Sequence, residues 1–235
     1  MNPVLHVGTA SLRGRRTENQ DALLSVPEGG LFAVADGVGG QPGGALAARL
    51  AISALAERAT DDELTDDLLA DLELDFLLAR DRVAACAKGE YRGMGTTLIA
   101  ARIDGPAAIV AHVGDSRAYL LQQGQRLHQV TRDHSLANKW RIAVGDEVPV
   151  PNRVARTLTR AISRDFDPMP EISAVELSVG DALLLCSDGV SGPLSEGAIA
   201  RLLSLPAERA ATALVEAATQ AGGEDNATAV VIQPK

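Results

Sequence analysis

Aromatic residues are scarce: one Trp, two Tyr and three Phe in 235 residues. Any core must therefore be built from Leu, Val, Ile and Ala, which the 46% hydrophobic content allows. Cysteine is scarcer still. Cys86 and Cys186 each lie among apolar residues, which predicts two buried reduced thiols and argues against a disulfide framework. Four histidines and no closely spaced cysteine pair argue against a zinc site. No apolar run is long enough to span a bilayer. The opening stretch, MNPVLHVGTASLRGRR, lacks the apolar core of a signal peptide. A soluble cytoplasmic protein with no membrane partner is the expectation.

Basic residues are also in deficit. With 22 Lys and Arg against 31 Asp and Glu, the net charge is -9. An acidic surface repels phosphate backbones, so no nucleic acid partner is expected. The same balance suits cations. A phosphorylated substrate would then need a locally neutralised site. Repeats, low-complexity tracts and linker-like stretches are missing, so residues 1–235 read as one domain.

Short strands are predicted at 3–9 and 22–26. LFAVADG at 31–37 is an apolar run stopped by Asp-Gly, the mark of a buried strand entering a turn. Residues 43–58, rich in Ala and Leu, predict a helix. A second helix is predicted from Asp62 to about Lys88, where Leu64, Leu68, Leu72, Phe76, Leu77 and Val83 recur at helical spacing, with Asp61 and Asp62 suited to its start. Strands follow at 96–103, 107–113 and 117–122, then at 181–187. Two helices near 195–203 and 206–221 precede a last strand at 226–233. The short turns between 96 and 122 favour antiparallel hairpins. The fold class is α+β, a largely antiparallel sheet system with helices on its outer faces.

Five aspartates share one kind of place. Asp36, Asp115 and Asp188 end apolar strands, Asp225 precedes the last strand and Asp21 precedes another. A carboxylate held near a core needs a cation or hydrogen bonds. Several brought together would repel unless a divalent ion neutralised them. Oxygen ligands select hard ions such as magnesium or manganese. Gly37, lacking Cβ, permits a tight turn and lets its carbonyl face an ion. Any one Asp-Gly taken alone is an ordinary turn dipeptide; the set is what points to metal. In GRRTENQD, at 14–21, arginines stand a few residues ahead of a carboxylate, and a guanidinium fork matches phosphate oxygens.

Together these motifs resemble the type 2C (PPM) serine/threonine protein phosphatases, in the bacterial branch. The resemblance rests on GRRTENQD, LFAVADGVGG, GMGTTLIAA at 93–101, AHVGDSRAYL at 111–120, TRDHSL at 131–136, LTRAIS at 158–163, LLLCSDGV at 183–190 and EDNATAVVI at 224–232, in family order. It implies a central sandwich of two antiparallel sheets flanked on both sides by pairs of helices. It implies two Mn2+ or Mg2+ ions, with a third, weaker one. Asp36 would bridge two ions and Gly37 would lend its carbonyl. Asp188 and Asp225 would complete the shell of the first ion, Asp21 would support the second ion, and Asp115 with Asp188 would form the third site. Arg16 would bind the phosphate; Arg13 and Arg15 read as surface residues. The implied reaction is in-line attack of a metal-activated water on phosphoserine or phosphothreonine, with no phosphoenzyme. The implied partners are phosphorylated proteins made by a bacterial Ser/Thr kinase, met by a monomer.

Three positions depart from the family pattern. Val38 stands where many members carry a histidine proposed as the general acid; His134 is a weak substitute, since a histidine there more often packs. Gln20 replaces an acidic residue and weakens the second ion's surroundings. Residues 134–157 read as a variable flap, with Trp140 either touching substrate or packing on a helix. Two other readings share the motifs: a non-catalytic or partner-switching protein of the same fold, disfavoured because Asp36, Asp188 and Asp225 are all present, and a hydrolase of small phosphate esters.

Overall fold

The computed structural model describes residues 4–38, 43–59, 67–145, 147–151, 154 and 157–235. The chain runs β1 (Leu5–Leu12), β2 (Asp21–Val26), β3 (Leu31–Asp36), α1 (Gly44–Arg58), α2 (Leu68–Cys86), β4 (Gly95–Thr96), β5 (Leu98–Asp104), β6 (Ala107–Val113), β7 (Arg117–Gln122) and β8 (Arg126–Gln129). It continues with α3 (Leu136–Val144), β9 (Ile162–Ser163), β10 (Glu171–Glu176), β11 (Ala182–Cys186), α4 (Asp188–Ser191), α5 (Glu196–Leu203), α6 (Ala207–Gln220) and β12 (Ala227–Pro234). Strands β8, β9 and β10 went unread in the sequence. The helix expected from Asp62 starts at Leu68, where the Asp67 side chain accepts from the Leu69 and Ala70 amides. Asp61, Asp62 and Leu64 lie outside the described residues.

Two five-stranded antiparallel sheets form a sandwich. One is ordered β1-β12-β11-β7-β8 and the other β10-β6-β5-β3-β2. Strand alternation sorts β3 into two layers. Phe32 and Val34 pack between the sheets with Leu120, Leu183, Leu185 and Val230. Leu31, Ala33 and Ala35 face α1 and α2 with Leu55, Leu72, Phe76 and Val83. Helices α4, α5 and α6 cover the other sheet through Ile199, Leu203, Leu214 and Val215 against Leu184 and Val231. This is the expected α+β sandwich. Alanine recurs in these layers, which lets helices lie close where aromatics are few.

Two features run against the composition. Cys186 is buried as expected, but Cys86 is exposed, because the last turn of α2 carries it away from the packed face. Asp75 is fully buried on α2. Arg58 Nε and Arg102 Nη2 each donate to it at 3.0 Å, and Arg58 Nη2 donates to Asp71 at 2.9 Å. That network ties α1, α2 and β5 together beneath the sandwich.

Antiparallel order also decides where strand ends meet. The start of β12 adjoins the ends of β1 and β11, and the start of β7 adjoins the end of β11. In the other sheet the start of β2 meets the end of β3, and the starts of β5 and β10 meet the end of β6. All of these lie at one end of the sandwich.

Candidate active site

The five aspartates come from that end. Asp21, first in β2, pairs in register with Asp36, last in β3. Asp115 sits where the chain crosses from β6 in one sheet to β7 in the other. Asp188 opens α4 directly after β11, and Asp225 precedes β12. A cleft of about 330 Å³ is lined by Asp36, Asp115, Asp188 and Asp225 together with Arg16, Gln20, Gly37, Val38 and Thr97.

The backbone around Asp36 is tightly held. Its amide donates to Thr97 Oγ1 at 3.0 Å, while its carbonyl accepts from the Thr97 amide and from Thr96 Oγ1, both at 2.8 Å. The Gly37 amide donates to the Gln20 carbonyl. A Cβ on Gly37 would come within 2.5 Å of the Gly44 carbonyl, so only glycine lets β3 meet the start of α1. On Gly114 (φ 111°) a Cβ would strike the Thr97 side chain at 2.6 Å. The turn that carries Asp115 therefore closes on the Gly-Thr-Thr strand.

Ser187 and Asn226 were not singled out by sequence and prove to organise the site. Ser187 Oγ donates to Asp21 Oδ2 at 2.9 Å and accepts from the Thr228 amide at 3.0 Å. Asn226 Nδ2 donates to the carbonyls of Arg13 and Glu18, and its Oδ1 accepts from the Gln20 amide. It clamps the 13–20 loop onto the start of β12. The only hint in sequence was a polar residue placed at a strand edge.

Electrostatically the site is short of positive charge. Burial pushes Asp21 up to about 6, helped by the charges of Asp188 and Asp225 and opposed by hydrogen bonds from Thr228 and Ser187. Burial, then the charge of Asp188, pushes Asp115 up to about 7. Asp36 is raised well above the carboxylate range by burial and by Asp21, Asp188, Asp115 and Asp225. Asp21 Oδ1 is buried with no hydrogen-bond partner. An orphaned buried carboxylate oxygen amid repelling neighbours fits a hard divalent cation. Arg16 is the cation at hand: its Nη2 donates to Asp225 Oδ2 at 2.6 Å, and the pair is half-exposed. Arg15 stays at the surface, 3.8 Å from Glu224.

The departures are also resolved in space. Gln20 lines the cleft and donates to Glu18 Oε1 at 2.7 Å. Val38 lines it too, offering no proton. His134 is absent from the described lining. It stacks on His112, with centroids 4.5 Å apart and planes 9° apart, its Nδ1 accepts from the Gly114 amide, and burial lowers it to about 4. With Glu171 these histidines bring possible ligand atoms within 4.8 Å of one another. Parallel stacked rings cannot aim their in-plane lone pairs at one ion, so the group packs rather than coordinates. Trp140 is half-buried on α3 and is not among the described residues lining the cleft or the hollow beside it.

Residues 8–229 match the family Protein phosphatase 2C. The chain belongs to the protein phosphatase 2C family. It is 37% identical over 238 residues to the serine/threonine protein phosphatase PstP of Mycobacterium tuberculosis, covering 97% of this chain but 45% of the relative, so it spans about half that protein's length. It is 32% identical to the protein phosphatase PhpP of Streptococcus pneumoniae, covering 93% of this chain and 92% of the relative. The crystal structure of the catalytic domain of PstP with two manganese ions superposes with a TM-score of 0.87 at 35% identity, covering 98% of both chains. A phosphatase-2C sandwich is thus both the family and the fold. No helix among the described residues is long and apolar enough to cross a membrane.

Proposed function

We propose that this chain hydrolyses phosphoserine and phosphothreonine in proteins, with two manganese or magnesium ions held in the aspartate cleft. The observation that carries the reading is the convergence of Asp21, Asp115, Asp188 and Asp225, far apart in sequence, on Asp36, with Asp21 Oδ1 buried and without a hydrogen-bond partner. Asp36, the Gly37 carbonyl, Asp188 and Asp225 would hold the ions, Asp21 would support the second of them, and Asp115 with Asp188 would hold a third and weaker one.

When bound, the ions supply a water of lowered pKa and neutralise the charge that develops on phosphorus. The protein's own groups do the rest. Ser187, itself held by the Thr228 amide, holds Asp21 in place, and Thr96 and Thr97 hold Asp36. Arg16 orients the phosphate. Its Nη2 contacts Asp225, and its other nitrogens are available to a phosphoryl group at the cleft mouth. With Val38 beside the cleft, solvent supplies the proton for the leaving alkoxide.

The substrates are phosphoproteins made by a bacterial Ser/Thr kinase. The enzyme acts as a monomer in the cytoplasm, where two unpaired cysteines are stable. Residues 1–235 form one catalytic domain whose flap, near 134–157, begins with α3. The decisive experiment is a manganese titration with a phosphothreonine peptide on wild type and Asp36→Asn. Comparison with small metabolite phosphates separates a protein phosphatase from a general phosphoesterase. Wild-type turnover of the peptide is expected; none at saturating manganese would refute the proposal.

A further inference from the structure

Among the described residues, the aspartate cleft adjoins two further cavities, each sharing lining residues with the next. It shares Arg16, Asp115, Asp188 and Asp225 with a wider hollow of about 700 Å³. That hollow shares Arg117, Asp133 and Arg141 with a third cavity of about 450 Å³. Charge changes sign along this run, from the aspartates at one end to Arg132 and Arg141 at the other.

Most charged groups in between are already paired. Arg117 donates through Nε and Nη2 to the two oxygens of Asp133, each at 2.7 Å. Glu171, on the rim of the third cavity, lies 3.2 Å from the neutral His134 Nε2 and keeps its negative charge, so the positive excess there rests on Arg132 and Arg141 together outnumbering it. Arg132 and Arg141 differ. Both are exposed, and neither guanidinium group has a hydrogen-bond or ion-pair partner among the described residues. Their backbones are nevertheless anchored. The Arg132 carbonyl accepts from His112 Nε2 at 2.8 Å, and Arg141 sits on α3, capped by Ser135 and tied to the Asp133 carbonyl through Asn138. In a chain of net charge -9, two unpaired arginines facing one polar hollow are a local reversal of the surface field.

We propose that Arg132 and Arg141 form a second oxyanion subsite. It takes a carboxylate, or a further phosphoryl group, on the same polypeptide whose phosphorylated residue occupies the aspartate cleft. The inference rests on the phosphatase reading above and adds a substrate class to it: segments acidic on one side of the phosphoresidue. Guanidinium forks match both kinds of oxyanion. The field they set up draws in a segment that the rest of the surface repels. Because this contact is equally strong before and during reaction, it acts on KM and leaves kcat alone.

The test uses the full chain with manganese and matched phosphothreonine peptides: one with neutral flanks, a set with glutamate stepped along either side, and one with phosphoserine at the best glutamate position. In one register, glutamate is expected to raise kcat/KM roughly fivefold over the neutral peptide, through KM, with added salt erasing the gain. Arg141→Gln and Arg132→Gln each bring that ratio toward one, and Arg141→Lys keeps part of it. A gain from phosphoserine alone narrows the ligand to phosphate; a gain from both supports a general oxyanion site. No preference in any register, or a variant that loses both peptides in proportion, overturns the subsite while the phosphatase reading stands. No turnover of any peptide, the neutral one included, overturns both.

Discussion

Asp21 and Asp36 lie directly opposite each other across the antiparallel pair β2–β3, so two carboxylates share one strand junction. Such a pair is costly without a cation, and the cost depends on pH. A carboxyl raised above its unfolded pKa stabilises the fold below the unfolded value and withdraws that stability as pH rises through the folded value. With Asp21 near 6 and Asp115 near 7, the ion-free protein loses stability from these groups between about pH 4 and 7. Manganese restores it, but in acid must first displace protons. The melting-temperature gain from a fixed manganese concentration is therefore expected to be small at about pH 5 and to grow toward pH 8. Scanning fluorimetry measures it, and an equal gain at both pH values would place the ion elsewhere.

Asp36→Asn keeps the shape and removes the charge. Activity at saturating manganese is expected to fall by at least roughly a hundredfold. In chelator, the same variant should melt higher than wild type, because repulsion from four neighbouring acids is relieved. A gain of about 1 kcal/mol would appear as roughly 2–4 °C in a domain of this size. Opposite movements of activity and ion-free stability distinguish a ligand from a packing residue.

Arg16 Nη2 donates to Asp225 at 2.6 Å, so on the proposed reading Arg16 would compete with an ion for that carboxylate. Arg16→Ala is expected to raise KM for a phosphopeptide roughly tenfold. Calorimetry should show manganese binding that is unchanged or tighter, since Asp225 is released. Arg16→Lys should recover only part of KM, because an ammonium lacks the planar fork. Weakened manganese binding in Arg16→Ala would contradict this assignment.

Asp75 sets the opposite kind of expectation. It is fully buried between Arg58 and Arg102. Asp75→Ala strands the Arg102 guanidinium and leaves Arg58 with Asp71 alone, and should cost about 3–5 kcal/mol in denaturant unfolding. Specific activity of the folded fraction should be unchanged, as Asp75 is not among the described residues lining the cleft.

Gly189→Ala places a methyl group 1.9 Å from the Asn226 carbonyl. A stability loss of roughly 1–3 kcal/mol is expected. Because Asn226 clamps the 13–20 loop, phosphopeptide KM should rise with it, by steady-state assay. A loss of stability with KM intact would show that the clamp tolerates the shift.

Much of the fold was legible because its signals are local. Apolar runs ending in Asp-Gly marked β3 and β11, and the short turns between 96 and 122 marked the β5–β6 hairpin; the second of those turns instead carries the chain from β6 in one sheet to β7 in the other. Strand β10, EISAVE, alternates as an edge strand does, but its signal is diluted by two glutamates. Strands β8 and β9 are too short to carry a period. Asp75 escaped notice because a single acid on a helix gives no sign of the two arginines that bury it.

Sequence alone determined the family, the strands and helices that carry the chemistry, and which aspartates stand at strand ends, since each follows from neighbours in the chain. Tertiary structure alone decided that these strand ends share one edge of the sandwich, that Asp21 Oδ1 is left without a partner, and that the cleft runs on toward Arg132 and Arg141. The reason is physical: sheet order sets which ends adjoin, and desolvation and repulsion depend on distances through space that no local pattern encodes.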